Sequence, residues 1–184
     1  MTASVREAML ARRSSPKVTD AAPGDTEILA LLEAAGRVAD HAALRRWRVI
    51  ALRGEARNRL GDALAAAAGL DGELGARLAA KPLRAPLLLA IVATTTPHFK
   101  VPAWEQEAAA AGVAHQLTLL LDDAGWGVMW RSGPHTRHPL VAEAHGLASN
   151  ERLLGWLYVG GRPDGTRPER SADDFAAQRF SSLD

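Results

Sequence analysis

Apolar residues recur at helical spacing in six stretches of the chain. Residues three and four positions apart share a helix face, so each stretch is typical of an amphipathic helix with one side against a core. Capping and helix-stopping residues bound several of them, including Asp25 at one start and the Ser14-Ser15-Pro16 run at one end. The predicted helices cover residues 3–12, 25–36, 55–68, 73–81, 104–124 and 138–145.

The second helix shows the pattern most clearly. It carries Ile28, Leu29, Leu32 and Ala35 on one face, and Gly36 supplies an ending that tolerates the left-handed conformation. The polar stretch 37–46 that follows is interpreted as a loop.

Four other segments have the composition of β-strands: 47–52, 86–93, 127–130 and 153–159. The segment 86–93 is a continuous apolar run, which is typical of a strand buried on both faces and predicts the centre of a sheet. Strands and helices are mixed along the whole length. We expect one domain over residues 1–184, with a polar arm from about Arg162 to the end.

Composition excludes several classes of function. Lys and Arg total 22 against 21 Asp and Glu, so no basic footprint for nucleic acid is expected. The absence of cysteine removes disulfides, thiolate metal sites and cysteine nucleophiles, and favours the cytoplasm. The longest apolar run is far shorter than the roughly 18 residues that a membrane span needs.

Three groups of residues are candidates for ligand chemistry. Arg12, Arg13 and Ser14 offer donors where a helix becomes a loop, although a solvated basic helix end has the same composition. Arg131 follows a predicted strand and precedes Ser132 and Gly133, where backbone can approach a ligand; an ordinary strand end is the alternative.

Arg37 and His41 share the loop before the first strand, where a histidine is often only solvated. His135 and His138 lie three residues apart, but no third ligand completes a metal site. Gly-x-Gly-x-x-Gly, Walker and Gly-x-Ser-x-Gly motifs are absent from the sequence, which disfavours the corresponding nucleotide and hydrolase functions.

Read together in order, several short motifs resemble the nitroreductase family, in particular its short NAD(P)H nitroreductases. The resemblance implies an α+β fold, with a mainly antiparallel sheet flanked by helices, that dimerises with FMN between the two subunits. The motifs are Arg12-Arg13-Ser14, Arg37-Val38-Ala39-Asp40-His41 followed by Trp47, Arg84-Ala85-Pro86, Val101-Pro102-Ala103-Trp104-Glu105 and Trp130-Arg131-Ser132-Gly133.

The resemblance also implies roles for individual residues. His41 would reach the flavin across the dimer interface, and the stretch matching an NAD(P) segment of relatives reads equally well as the buried end of a core helix. The FMN contacts would be Arg12, Arg13, Ser14, Arg37, His41, Trp130, Arg131 and Ser132, and the NAD(P) segment would be Leu120, Leu121, Asp122, Asp123, Ala124 and Gly125.

The activity that the resemblance implies is ping-pong hydride transfer from NAD(P)H to a nitroaromatic or quinone-like acceptor, with flavin N5 carrying the hydride. Two alternatives stay open: a flavin-binding storage or sensor protein with little turnover, and a helical interaction module without flavin. The sequence departs from close relatives at Arg46, where they usually have proline. The shape of the loop 41–46 therefore remains open.

Overall fold

The computed structural model of this protein describes residues 4–165 and 176–183. Four strands form one antiparallel sheet. They are β1 (Trp47–Leu52), β2 (Leu87–Thr94), β3 (Trp126–Arg131) and β4 (Glu151–Gly161). Their order across the sheet is β1-β2-β4-β3, so β1 and β3 are its edges. The predicted α+β class with an antiparallel sheet is confirmed.

Helices cover both faces of the sheet. Two short 3-10 turns, His41–Ala43 and Lys81–Arg84, lie between them in the chain. The helices are α1 (Val5–Ala11), α2 (Asp25–Ala35), α3 (Glu55–Ala67), α4 (Gly72–Ala79), α5 (Ala103–Asp123) and α6 (Pro139–Ala144).

Alternation along β2 divides the core into two layers. Leu87, Leu89 and Ile91 pack with α2 and α5 on one face. Leu88 and Val92 pack with α3 and α6 on the other. Because successive side chains of a strand point to opposite faces, an unbroken apolar run serves both layers. This confirms the predicted central strand.

The second helix differs from its sequence pattern in three details. Gly24, not Asp25, is the N-cap, and Asp25 begins the first turn. Leu29, predicted on the same face as Ile28, is 66% exposed whereas Ile28 is buried, because consecutive helix residues point in different directions. Gly36 has φ −70°, so it is not left-handed; a Cβ there would lie 2.9 Å from Cζ2 of Trp47, and close packing is what requires glycine.

The last strand is longer than predicted, running over Glu151–Gly161. Glu151 and Arg152 are polar but still pair with Thr94 and Ala93 of β2, because backbone pairing does not depend on apolar side chains. Of the predicted C-terminal arm, residues 166–175 and 184 lie outside the described residues. Arg162 at its start donates to the backbone oxygen of Asp122 at the end of α5.

The segment after α1 runs along the edge strand β3. The amide of Ser15 donates to the carbonyl of Val128 at 2.9 Å, and the amide of Thr19 donates to the carbonyl of Gly161 at 2.8 Å. The side chain of Val18 packs on Gly127 and Gly160. A Cβ at either glycine would lie within 2.8 Å of that side chain, so both positions require glycine. This segment brings the polar residues that follow α1 to the end of β3.

Candidate active site

Two cavities flank the C-terminal end of β3, and Trp130 lines both of them. Side chains alternate along the strand, so Trp130 faces α5 while Arg131 faces the opposite layer. A ligand lying across the strand end would therefore contact residues from both layers of the protein.

The first cavity, of about 300 Å³, lies between α1 and α5. Arg12 and Ser14 line it from the N-terminal side, and His115 and Thr118 line it from α5. The His115 ring meets the Trp130 indole edge-on at 5.0 Å between centroids. The cavity thus combines a guanidinium and a hydroxyl with an aromatic wall.

The second cavity, of about 630 Å³, lies on the other face. Its floor is apolar and includes Leu64, Leu78 and Trp156, whereas Lys81, Arg84 and Arg131 also line it. The lining residues include no carboxylate. An apolar floor with cations at its margin is suited to a planar ligand that carries negative charge.

Arg131 is held in place without using all of its donors. Its guanidinium lies 5.2 Å from the centroid of the Tyr158 ring, and its Nη2 donates to the carbonyl of Pro16 at 3.4 Å. The Nε atom is buried and has no hydrogen-bond partner among the described residues. Burial raises the pKa of Tyr158, and the positive charges of Arg131 and Arg84 oppose that shift.

Gly155 of β4 allows this arrangement. Its φ is +133°, and a Cβ would lie 2.6 Å from the carbonyl oxygen of Arg131 and 2.7 Å from Nε1 of Trp130. No side chain fits there, so glycine lets β4 lie directly against the end of β3, its neighbour in the sheet.

The other predicted flavin contacts lie elsewhere in this subunit. Nη1 of Arg13 donates to the carbonyls of Leu10, Ala11 and Arg12, which caps the end of α1. Arg37 is exposed on the surface. His41 contacts Glu105, ten residues before His115 on α5, which corresponds to about 15 Å along the helix.

The predicted NAD(P) segment, residues 120–125, lies at the other end of β3. Leu121 and Asp122 are buried in the last turn of α5, and Nη2 of Arg162 is 3.2 Å from Oδ1 of Asp122. Gly125 and Arg131 are six residues apart along an extended stretch, roughly 20 Å. None of these six residues lines either cavity, although Leu119, directly before the segment, lines the first.

Lys81, Arg84 and His115 line the cavities but are not among the predicted site residues. Arg84 belongs to a family motif, which was a usable signal, whereas Lys81 and His115 carry none in the sequence. Within the described part of the chain, no group of three or more His, Cys, Asp or Glu residues has metal-site geometry. No helix in that part is long and apolar enough to cross a membrane.

The donor set fits the FMN that the resemblance implies. Cationic and hydroxyl donors suit a phosphate and the flavin carbonyls, the aromatic and apolar surfaces suit a planar ring, and the free Nε of Arg131 is a buried donor that such a ligand would satisfy.

Comparisons with known proteins identify the family of this chain. The sequence profile of the nitroreductase family matches residues 9–161. The chain is 34% identical over 157 residues to the protein named "Putative NAD(P)H nitroreductase YdjA" of Escherichia coli (strain K12). The matched residues make up 84% of this chain and 86% of that protein.

Solved structures share the fold. The nitroreductase-like family protein from Bacillus cereus has a TM-score of 0.84 at 24% identity, covering 100% of this chain and 97% of that one. The FMN and NADPH-dependent nitroreductase NfnB from Sphigopyxis sp. strain HMH has a TM-score of 0.67 at 21% identity. The match covers 86% of this chain and 88% of that one.

Proposed function

Because this chain belongs to the nitroreductase family of oxidoreductases, we propose that it binds FMN and passes hydride from NAD(P)H to a small oxidised acceptor such as a nitroaromatic or a quinone. The observation that carries the proposal is the convergence of cationic and hydroxyl side chains on the two cavities at the end of β3, where the buried Nε of Arg131 has no hydrogen-bond partner among the described residues. When bound, FMN supplies a hydride acceptor and donor in one ring, which gives ping-pong kinetics.

The residues around the two cavities have distinct roles in this proposal. Arg12 and Ser14 on one side, and Arg131 and Ser132 on the other, bind the phosphate and the polar edge of the ring. Trp130 packs against the cofactor between them. Lys81 and Arg84 place further positive charge beside the second cavity, which favours a ligand that gains negative charge on reduction.

A second copy of the chain completes the site. Helix α1 has no buried residue in the single subunit, and Val5, Met9 and Leu10 are 70%, 59% and 58% exposed. An apolar helix face of this kind is typical of a covered interface. His41 is about 15 Å along α5 from the Trp130 cavity of its own subunit, and the family resemblance assigns it to the flavin of the partner subunit in a homodimer.

The visible spectrum of freshly purified protein tests the proposal. We expect a yellow protein, or one that becomes yellow when FMN is added, and prompt anaerobic bleaching of that colour by NADH or NADPH. A protein that stays colourless and binds no FMN refutes the proposal and favours an interaction module. Tight FMN binding without bleaching by either nicotinamide favours a storage or sensor protein.

A further inference from the structure

His41 is tied to the first turn of α5 by a single short contact. Its Nδ1 lies 2.7 Å from Oε2 of Glu105, and the two residues are 64 positions apart in the chain. An ionised carboxylate only accepts hydrogen bonds, so the proton between them is on Nδ1. The ring atom that remains available for another ligand is therefore Nε2.

Glu105 lies in the first turn of α5, which hydrogen bonds fix to the preceding loop. Gln106, the next residue, is 2% exposed, and its side-chain amide bonds the amide of Thr96 at 3.0 Å, the carbonyl of Thr96 at 2.9 Å and the carbonyl of Val101 at 3.1 Å. These bonds lock the start of α5 to the loop before it. The first turn also favours an acidic side chain, because the helix dipole is positive there.

The loop that carries His41 adopts an unfavourable backbone. Ala42, Ala43 and Arg45 have φ of 61°, 50° and 50°, a region that costs free energy for residues with a Cβ. Oδ2 of Asp40 accepts the amide of Arg45 at 2.6 Å and helps to close the loop. Such strain persists where surrounding contacts fix a functional group.

Arg46 joins the end of this loop to the sheet. Its carbonyl accepts a hydrogen bond from the amide of Thr94 at 2.9 Å, so the turn that follows His41 is fixed to β2.

Small side chains leave the exposed edge of His41 open. Ala39, Ala108 and Ala109 line a cavity of about 500 Å³ beside His41 and Glu105, and the His41 side chain is 51% exposed whereas that of Glu105 is 26% exposed. A ligand can reach the ring of His41 here, while the carboxylate behind it is more enclosed.

We propose that Glu105 is a positioning residue, which holds His41 through Nδ1 and so presents Nε2 to the flavin bound by the partner subunit. The inference rests on the proposed function, in which His41 contacts that flavin. Glu105 itself touches no cofactor; it sets the tautomer and the direction of the imidazole that does.

Long-range ¹⁵N–¹H NMR of ¹⁵N-histidine-labelled protein tests the contact directly, because it distinguishes the two tautomers. The wild type, Glu105→Gln and Glu107→Gln are compared, and His41→Gln identifies the His41 signals. Glu107 is the matched control, since it lies two residues along α5 and pairs instead with Nη2 of Arg137 at 2.7 Å. Each dimer is also titrated with FMN, and its turnover is measured.

We expect His41 to carry its proton on Nδ1 in the wild type and in Glu107→Gln, and to lose that preference in Glu105→Gln. FMN affinity should fall about three- to tenfold in Glu105→Gln alone, as expected for one partly exposed charged contact. An unchanged tautomer, or unchanged FMN affinity, in Glu105→Gln overturns the inference. If the wild type binds no FMN, the proposed function has failed, and the tautomer experiment reports on the Glu105 contact independently.

Discussion

Nε1 of Trp156 donates a hydrogen bond to Nε2 of His145 over 2.9 Å inside the protein. Nδ1 of His145 donates to the carbonyl of Val141 at 2.7 Å, so both ring nitrogens are used by a neutral imidazole. The pair joins β4 to the end of α6, directly beneath the second cavity that Trp156 lines.

Acid should weaken the fold through His145. Burial lowers the pKa of His145 below its ordinary 6.5. Between these two pKa values, His145 is protonated in the unfolded chain but neutral in the folded protein. Stability is full above about pH 6.5 and falls as the pH drops from there toward the lower folded pKa. The slope from this group is at most about 1.4 kcal/mol per pH unit.

Urea unfolding at several pH values between 7.5 and 5 measures that slope. His145→Gln should remove it, and His138→Asn, which keeps a residue able to cap α6, should not. Equal slopes in wild type and His145→Gln would show that another group is responsible.

A second acid transition should come from Glu151. Arg48 binds it through two bonds of 2.6 and 2.8 Å, and this contact lowers the pKa of Glu151 from 4.5 to about 2. The stabilisation is present above pH 4.5 and is lost as the pH falls toward 2. The Arg48 side chain is 43% exposed, so solvent screens the ion pair. Its contribution to the free energy of unfolding at neutral pH is therefore about 1–2 kcal/mol.

Glu151→Gln should lower the free energy of unfolding at pH 7 by about 1–2 kcal/mol. Between pH 4.5 and 2, the stability of this variant should depend less on pH than that of the wild type. The double variant Arg48→Met with Glu151→Gln isolates the pair in a mutant cycle. A coupling energy near zero contradicts the prediction.

Gly155→Ala should destabilise the protein by about 2–4 kcal/mol, because a Cβ has no room at this left-handed position. It should also weaken FMN binding, since the displaced groups are the Arg131 carbonyl and the Trp130 indole. Gly146→Ala is the control, because Gly146 also has a positive φ, of 58°, lies outside both cavities, and a Cβ there meets no atom within 4 Å. Thermal unfolding and FMN titration of both variants measure these effects, and similar losses in the two would refute the packing argument.

Arg131→Gln should reduce FMN affinity by at least about tenfold, as expected for a lost charge-assisted hydrogen bond. Arg152→Gln serves as the control, since Arg152 bonds the carbonyls of Ser149 and Glu151 on the surface and lines neither of the two cavities. Fluorescence quenching of FMN on binding gives both dissociation constants. Equal affinities would place the phosphate and flavin edge elsewhere.

Leu10→Glu should convert the proposed homodimer to a monomer and abolish FMN retention, because it places a charge on the exposed apolar face of α1, where it would be unpaired in the interface. Ala66→Glu introduces the same charge at an exposed position of α3 and should leave the dimer intact. Light scattering after size exclusion gives the masses. A wild-type monomer would exclude the shared site outright.

Some features followed from the sequence because short-range physics fixes them. The strand at Trp47–Leu52 has the predicted bounds, and the apolar run of β2 identified the central strand, since only burial on both faces accommodates it. The ordered motifs also named Arg12, Ser14, Trp130 and Arg131, which the structure brings to one end of β3.

Other features depended on contacts between distant parts of the chain. The strand order, the pairing of His41 with Glu105 and the approach of Lys81 to Arg131 join residues tens of positions apart, and local periodicity carries no information about such distances. Ile28 and Leu29 were predicted on one face but have opposite exposure, because adjacent helix residues point in different directions and packing decides which direction is covered. The sequence determined which segments form strands and helices; only packing in three dimensions decided which of their side chains share a site.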